Sequence, residues 1–373
     1  MRGLVAYRML VHDRSSTAGS MLGVVAIIFL VGQQLTTMFG LFTYMSVLVD
    51  HSGADVWIVS KNTRNVNAAG PLPVRYVDRV SGLREIEWAE PVIMTAGETR
   101  RRDGKYEGVM VVGLTSPRFA GGPWAFEEGS LDVLLDYEGV TLDAGDLKLF
   151  GEPEVGDVFE VNKKRVRLNG VTKKIRGFGG TLLFTNRTKA REISNLPPDS
   201  CSAILVKLVP GADADAASAE MQRILPRAEV VPARGLSNST RAFYIINTGM
   251  GSSFGFTTLM SALVGIVVIT LTMYTSVLHR EKDFAVLRAL GARRKDIFVI
   301  VFSQGLMIGA VGIFLGFALL ALFLQGTRES TLPTFVPLWF PFVHAAFTLI
   351  LCLAGSMFAI RRATRVEPAT AFR

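Results

Sequence analysis

HREKDFAVLRALGARRKD, residues 279–296, is a basic loop between two long apolar segments, and the fold of this chain is inferred outward from it. Phe284, Leu287 and Arg288 follow the i, i+3, i+4 spacing of one helix face. Gly291 is placed to end that helix, because glycine readily adopts the left-handed conformation of a C-cap. We therefore predict a short capped helix between two membrane spans, a form suited to docking a soluble partner.

The apolar residues are concentrated in a few long segments. Hydrophobic residues make up 49% of the 373, and the mean hydropathy is +0.35. A helix needs about 20 apolar residues to cross a bilayer core of about 30 Å. We predict transmembrane helices over residues 18–49, 254–278, 297–324 and 336–360, with a short loop at 325–335. Residues 50–250 are charged and rich in turns, so they predict a folded domain inserted between the first two spans.

The first predicted span is longer than a bilayer requires. Its 32 residues would reach about 48 Å at about 1.5 Å per residue. The helix of the second span is also predicted to be longer than the bilayer requires, because its helix-compatible stretch begins near Arg241. We expect both helices to project from the membrane as a stalk, unless Gly249, Gly251 and Gly255 break the second one.

The charges predict the orientation. Three segments hold 13 basic and 5 acidic residues, and so carry the whole net charge of +8: an N-terminal amphipathic helix at 1–17, the loop at 279–296 and the tail at 361–373. Cytoplasmic loops of membrane proteins carry an excess of Lys and Arg. We expect both termini in the cytoplasm and the inserted domain in the periplasm of a bacterial inner membrane. This topology explains the basic composition without nucleic-acid binding, and contact of these cations with anionic lipid stays open.

The inserted domain contains a loose internal repeat of strand, helix and strand. Alternating apolar residues in AILVKL and an aspartate at the helix start favour the second copy. The two copies cover residues 54–60, 74–80 and 86–95, and residues 202–209, 213–225 and 228–232.

Two hairpins are predicted between the copies of the repeat. Residues 99–115 turn at Asp103-Gly104, and residues 157–176 turn at Asn169-Gly170. Both dipeptides are typical of two-residue hairpin loops. We predict a β-rich insertion in a repeat-built subdomain, and a fold class of four transmembrane helices with a large α+β extracytoplasmic domain between helices 1 and 2.

Span three contains a glycine stripe. Its members recur at spacings of four, three and four, so they share one helix face and allow another helix to approach closely. They are Gly305, Gly309, Gly312 and Gly316. We predict helix packing at this face rather than a substrate pathway.

Sequence signals of chemistry are missing. No G-x-x-x-x-G-K-[ST] motif occurs, and no span contains Asp or Glu, which proton-coupled pumps commonly use. We place His344 at the membrane interface near the outer end of span four. Cys201 and Cys352 fall in different parts of the chain, and the four histidines lack metal-ligand spacing. We expect a non-catalytic protein that binds neither a metal nor a cofactor directly.

Three stretches carry a family resemblance. HREKDFAVLRALGARRKDI at 279–297, RRATRVEPATAFR at 361–373 and AYRMLVHDRSS at 6–16 resemble the MacB/FtsX-like permeases of ABC transporters. The layout of one span, a large outer domain and three closing spans is similar to the MacB-like (type VII) architecture. Since no ATPase segment is present, the chain resembles the members whose ATPase is a separate chain, such as DevC, LolC and LolE, or HrtB.

The resemblance implies a coupling surface at residues 281–291. A cytoplasmic ATPase that holds ATP and Mg would dock there, and two permease chains would pair as a homodimer. Glu281 and Arg288 would make polar contacts, and Phe284 and Leu287 would insert into the ATPase. Ala285, Leu290 and Gly291 complete the surface. The alternative for Phe284 and Leu287 is packing on the inner ends of the chain's own spans.

Two functions follow from the resemblance. The first is export or extraction of a lipid-like or hydrophobic substrate, with a periplasmic adaptor and an outer-membrane channel. The second is an FtsX-like mechanical signalling subunit that controls a cell-wall hydrolase or sensor. The coupling-like loop argues against a third class, an ATPase-independent receptor or anchor.

Overall fold

The computed structural model describes residues 2–12, 14–100, 104–178, 180–279, 281–327 and 332–363. The chain divides into two compact units. The helical unit comprises Met1–Gly40 and Ser252–Arg373, and the inserted domain comprises Leu41–Gly251. The inserted domain therefore begins before residue 50 and includes the last residues of the predicted first span.

Helices occur in both units of the chain. In chain order they are α1 (Arg2–His12), α2 (Arg14–Met45), α3 (Val47–Asp50), α4 (Tyr76–Val80), α5 (Arg187–Ser194), α6 (Ala214–Ile224), α7 (Ala233–Asn247), α8 (Met250–His279), α9 (Glu281–Ala289), α10 (Arg294–Gly326) and α11 (Phe340–Ala363). Within the described residues, four segments are long and apolar enough to cross a membrane: Thr17–Met45, Met250–Thr272, Arg294–Gly326 and Phe340–Met357.

Two predicted span ends are wrong. Helix α2 stops at Met45 because Ser46, with φ −120° and ψ 15°, leaves the helical conformation before the short α3 begins. Helix α11 begins at Phe340 and not at residue 336. Pro337 disfavours helical backbone at the residue before it, whereas Pro341 is tolerated because it lies in the first turn of α11.

The predicted continuous stalk helix into span two is interrupted. Helix α7 ends at Asn247, and α8 starts at Met250. Gly249 lies between them with φ +73°, a conformation that glycine adopts without steric cost. Gly251 and Gly255 lie inside α8, so Gly249 alone of the three breaks the helix.

The glycine stripe of α10 packs on two neighbouring helices, and all four of its members are buried. A Cβ atom added to Gly312 would lie 2.6 Å from Cβ of Val24 in α2. One added to Gly316 would lie 2.6 Å from Cβ of Ile28 in the same helix. Gly309 instead faces Leu349 and Cys352 of α11. The face therefore serves close helix packing within one chain.

Helix α2 also contacts the two remaining spans. A Cβ atom at Gly265 of α8 would overlap the side chain of Ile27, at 2.1 Å from its nearest atom. His344 of α11 is buried, and its Nε2 lies 3.1 Å from the carbonyl oxygen of Ile28. The ring of His344 is therefore enclosed in the bundle, where it donates to the backbone of α2.

The strands belong to the inserted domain. They are β1 (Val56–Ser60), β2 (Leu72–Pro73), β3 (Ile86–Arg100), β4 (Tyr106–Leu114), β5 (Phe126–Glu128), β6 (Gly139–Asp143), β7 (Val158–Val161), β8 (Lys164–Thr172), β9 (Arg176–Gly177), β10 (Gly180–Asn186), β11 (Ser200–Cys201), β12 (Ala203–Leu208) and β13 (Ala228–Pro232). The main sheet has the order β13-β1-β12-β3-β4-β10-β6-β8-β5, with β7 against β3 and β8, and β9 against β10. Strands β2 and β11 pair separately.

The two predicted copies of the repeat interleave in one half of this sheet. The units β1-α4-β3 and β12-α6-β13 form the antiparallel order β13-β1-β12-β3, which is a split βαβ arrangement. Apolar residues of both helices pack on one sheet face, among them Tyr76, Val80, Ala217 and Met221. This confirms the predicted strand–helix–strand copies and explains their spacing, since each helix must cover the same face.

The β-rich insertion extends the sheet through the far half of β3. The β3–β4 hairpin is confirmed, although Asp103 of its predicted turn lies outside the described residues. The second predicted turn is wrong. The chain turns at Asn162-Lys163, both with positive φ, and Asn169-Gly170 lies within β8 at a register shift. Asn169 donates to the carboxylate of Asp136, so the pair serves a bulge and not a turn.

A buried ionic cluster holds β6 to β9 and β10. Arg176 binds the carboxylate of Asp146 and lies near that of Asp143. Thr181 donates to Asp146 at 2.9 Å, and the Ile175 amide donates to Asp143 at 2.6 Å. Burial raises the pKa of both aspartates against the opposing effects of these donors and of the guanidinium.

The two segments that connect the inserted domain to the spans are fastened to each other. Arg241 of α7 donates to Ser46 at 2.8 Å and to the carboxylate of Asp50 at 2.6 Å. Asn67 donates to the Met45 carbonyl oxygen at 2.8 Å. These bonds bring the entry and exit of the inserted domain together.

Gly312→Ala should destabilise the helical unit. Its new methyl group overlaps Val24, and overpacking a tight interface costs about 1–3 kcal/mol. Gly255→Ala is the matched control, because no atom of the described residues lies within 4 Å of its added Cβ. We expect thermal unfolding of the full chain in detergent to occur at a lower Tm for the first variant only. Equal Tm values would contradict the packing.

The Asp143 carboxyl should make stability depend on pH. Because its folded-state pKa lies above the ordinary 3.8, the folded protein binds more protons than the unfolded one. The stability that this group contributes is therefore present at low pH and is lost as the pH rises through the folded-state pKa. Relative to Asp143→Asn, the wild type should gain free energy of unfolding as the pH falls from neutral toward that pKa. Tryptophan fluorescence during denaturant unfolding measures this, and equal pH slopes would refute it.

Candidate functional site

Helix α9 and the turn after it form the candidate site. Gly291 has φ +97°, and its amide donates to the carbonyl oxygen of Arg288 at 3.0 Å. The Ala292 amide donates to the carbonyl oxygen of Leu287 at 3.0 Å. This pair of bonds is a Schellman motif, which satisfies the last carbonyl groups of a helix. The helix thus ends where the sequence places its glycine.

The next helix begins almost immediately. Asp296 in the first turn of α10 accepts a hydrogen bond from the Arg293 amide at 2.8 Å. A carboxylate at this position is also favoured by the positive end of the helix dipole. Only the turn at residues 290–293 separates α9 from α10. Its shortness limits the freedom of α9 relative to α10.

A group of apolar side chains, here called the base cluster, fixes the orientation of α9. Phe284 has no exposed surface and lies in the same buried cluster as Ala6 and Leu10 of α1. Ile297 and Val301 of α10 belong to the same cluster. Burying a side chain of this kind contributes about 1.5–3 kcal/mol. The base cluster therefore joins α1, α9 and α10.

The sequence predicts that Phe284 and Leu287 insert into a partner and that Ala285 belongs to the same surface. The structure leaves Phe284 no accessible surface for such an insertion. Phe284 and Ala285 are completely buried, and Phe284 lies in the base cluster with residues of α1 and α10. Leu287 and Arg288 are partly buried on the same side. The alternative recognised from the sequence, packing on the chain's own helices, describes Phe284. The side chain of Glu281 lies outside the described residues.

The opposite face of α9 is exposed. Leu290 keeps 80% of its surface accessible and Val286 keeps 47%. Lys282, Asp283 and Ala289 are exposed beside them. Of the residues predicted for coupling, Leu290 and Gly291 thus lie on accessible surface. Lys282 and Val286 fall within the predicted range 281–291 but were given no role of their own. The signal for them was the helical spacing of Lys282, Val286 and Leu290, away from Phe284.

Positive charge surrounds this exposed face. Arg293, Arg294 and Lys295 are exposed in the turn and the first residues of α10, and Lys282 is exposed on α9. Asp283 is the exposed acid among them. The surface can therefore combine apolar contact through Leu290 with attraction of an acidic partner surface. Among the described residues, no group of His, Cys, Asp and Glu could hold a metal ion.

Comparison with known proteins identifies a relative among ABC transporter permeases. An uncharacterized ABC transporter permease of Methanocaldococcus jannaschii is 30% identical over 193 residues, which cover 45% of this chain and 44% of that protein. The chain thus matches less than half the length of this curated relative.

Solved structures similar to the chain cover about half of it. The periplasmic region of MacB from Actinobacillus actinomycetemcomitans is 16% identical with a TM-score of 0.39, over 50% of this chain and 94% of that one. The extracellular domain of the noncanonic ABC-type transporter YknZ from Gram-positive bacteria is 12% identical with a TM-score of 0.37, over 48% and 98%.

Two family models match the chain in consecutive parts. Residues 17–224 match the MacB-like periplasmic core domain, and residues 255–368 match the FtsX-like permease C-terminal domain. The first match covers more than half of the 373 residues and spans α2 and most of the inserted domain. The second covers α8 to α11, including the candidate site. The chain therefore belongs to the MacB/FtsX-like family of ABC transporter permeases.

Proposed function

We propose that this permease is the non-catalytic subunit of a transporter whose ATPase is a separate cytoplasmic chain. The exposed face of α9 carries the proposal. Leu290, in the turn directly after α9, keeps 80% of its surface exposed and stands among cations, and α9 is held by the base cluster. A rigid helix that presents an apolar residue within a polar rim has the form of a protein docking site.

The coupling surface is revised accordingly. Val286 and Leu290 make the apolar contact, and Lys282 and Asp283 supply polar contacts at the rim. Phe284 transmits force from within the base cluster and does not touch the ATPase. Displacement of α9 by the ATPase moves α1 and α10 with it, because the three helices share the cluster. ATP and Mg are held by the partner chain.

The transported substrate is a lipid-like or hydrophobic molecule that is exported or extracted on the outer side of the membrane. In this proposal the chain is a multi-pass protein of the bacterial inner membrane, with cytoplasmic termini and a periplasmic inserted domain. Two copies pair, each with its own ATPase, and an adaptor and outer-membrane channel complete the route. The alternative role, mechanical control of a cell-wall hydrolase or sensor, uses the same coupling surface and differs in the partner of the inserted domain.

Leu290→Asp should abolish ATPase docking without unfolding the permease. Loss of a central contact costs about 2 kcal/mol, so we expect at least about thirty-fold weaker binding of the ATPase. The matched control is Ile246→Asp, which changes a residue of comparable exposure, 76% against 80%, in the inserted domain. Affinity of the purified full chain for its ATPase measures the effect.

Phe284→Ala distinguishes docking from packing. It leaves a cavity in the base cluster and should lower the free energy of unfolding by about 3–5 kcal/mol. Leu290→Asp should leave the Tm unchanged. If Leu290→Asp binds the ATPase like the wild type, the exposed face of α9 is not the docking site.

Gentle purification from the native membrane should recover an ATPase with this permease. We expect mass spectrometry to identify a P-loop ATPase and a periplasmic adaptor. A cell-wall hydrolase in place of the adaptor would favour the signalling role. Absence of any ATPase in several detergents would refute the proposed coupling.

A further inference from the structure

A cavity in the inserted domain lies where two parallel strands end together. Leu114 ends β4 opposite Asn186, which ends β10. The cavity has a volume of about 340 Å³ and is lined on its polar side by Thr115, Ser116, Asn186, Arg187 and Thr188. Carboxyl ends of parallel strands are frequent ligand-binding positions in sheets. The residues at this edge therefore form a concave polar surface.

Arg187 is a surplus cation at this cavity. The two neighbouring cations are paired: Arg118 lies 3.2 Å from Glu90, and Lys189 lies 2.9 Å from Glu192. Arg187 is partly buried, and its charge acts on Glu90, where it opposes the burial that raises the pKa of that carboxyl. Because the single Glu90 carboxylate interacts with both Arg118 and Arg187, one positive charge is left unbalanced, and an anion bound at Arg187 would be favoured.

The acidic groups around the cavity have partners of their own. Glu138 lies near Arg165 and Arg167. The Asp136 carboxylate accepts hydrogen bonds from Asn169 and from the amide of Glu138, and these bonds lower its pKa. The local charge at the mouth of the cavity therefore favours an anionic ligand.

The other wall of the cavity is apolar and continues onto the surface. Leu114 and Leu134 are buried in this wall. Leu135 and Tyr137, which also line the cavity, keep 60% and 50% of their surface exposed. Exposed apolar side chains beside a lone cation match a molecule that is charged at one end and apolar at the other.

We propose that this cavity binds the anionic head group of an amphiphile, with a phosphate or carboxylate on Arg187 and the first carbons of its chain on Leu135 and Tyr137. A volume near 340 Å³ lies at the low end of small-molecule sites, about 300–1,000 Å³, and so holds a head group and not a whole lipid. The inference names a substrate class for the proposed export function and depends on that function only for its physiological meaning.

Binding of octyl phosphate to the full chain in zwitterionic nanodiscs tests the proposal. Equilibrium dialysis of radiolabelled ligand, with empty nanodiscs as the blank, gives the affinity without any ATPase. We expect Arg187→Gln to weaken binding about tenfold or more, since a hydrogen bond to a charged group contributes about that factor. Leu135→Asn should weaken it several-fold, and Arg187→Lys should retain part of it.

Matched controls separate the site from general charge. Arg191→Gln removes the same charge from the same helix, α5, at a residue that does not line the cavity, and should leave binding unchanged. Octyl phosphocholine tests whether the head group must be anionic, and inorganic phosphate tests whether the alkyl chain of the ligand contributes to binding. If octyl phosphocholine bound as tightly as octyl phosphate, the proposed specificity for an anionic head group would be wrong. If inorganic phosphate bound as tightly as octyl phosphate, the proposed contact with the alkyl chain of an amphiphile would be wrong. Failure of either kind leaves the ATPase-docking measurements unaffected, so the two proposals fail separately.

Discussion

Close approach of α2 to α10 is the constraint on which the helical unit depends. Gly312 and Gly316 leave room for Val24 and Ile28, and the same helix α2 meets α8 at Gly265 and α11 through His344. Helices in a bilayer gain little from hydrophobic burial against one another, so close packing and buried hydrogen bonds must hold them. Helix α2 is therefore the hub of the bundle, and it leads directly into the inserted domain.

The base cluster fixes α9, the helix proposed to receive the ATPase. A helix of nine residues is marginal alone in water, and α9 is stabilised because Phe284 packs against α1 and α10. The same burial removes Phe284 from any partner and leaves Leu290 as the accessible apolar residue. In the proposed docking, the buried face of α9 supplies rigidity and the exposed residues supply contact, so that a force from the ATPase would reach α10 through the base cluster.

The inserted domain combines a regular scaffold with irregular edges. Its split βαβ half followed from the sequence, because strand and helix periods repeat there and each helix has one apolar face. The prediction of a turn at Asn169-Gly170 was wrong because tertiary contacts decide the structure there. Asn162-Lys163 turns the chain instead, and pairing with β6 draws Asn169 into a bulge beside Asp136. The cavity at the ends of β4 and β10 joins segments more than 50 residues apart, so no local pattern indicated it.

The sequence by itself determined the four apolar segments, the inserted α+β domain and the stop at Gly291, since length, periodicity and glycine conformation are local properties. Helical spacing also separates Phe284 from Val286, because two residues along a helix are about 200° apart around its axis. Only the tertiary structure decided which face is covered, because α1 and α10 supply the covering residues. Likewise, Arg187 became a surplus cation only when folding paired Arg118 with Glu90. Burial and charge pairing depend on contacts between distant segments, which a linear pattern does not specify.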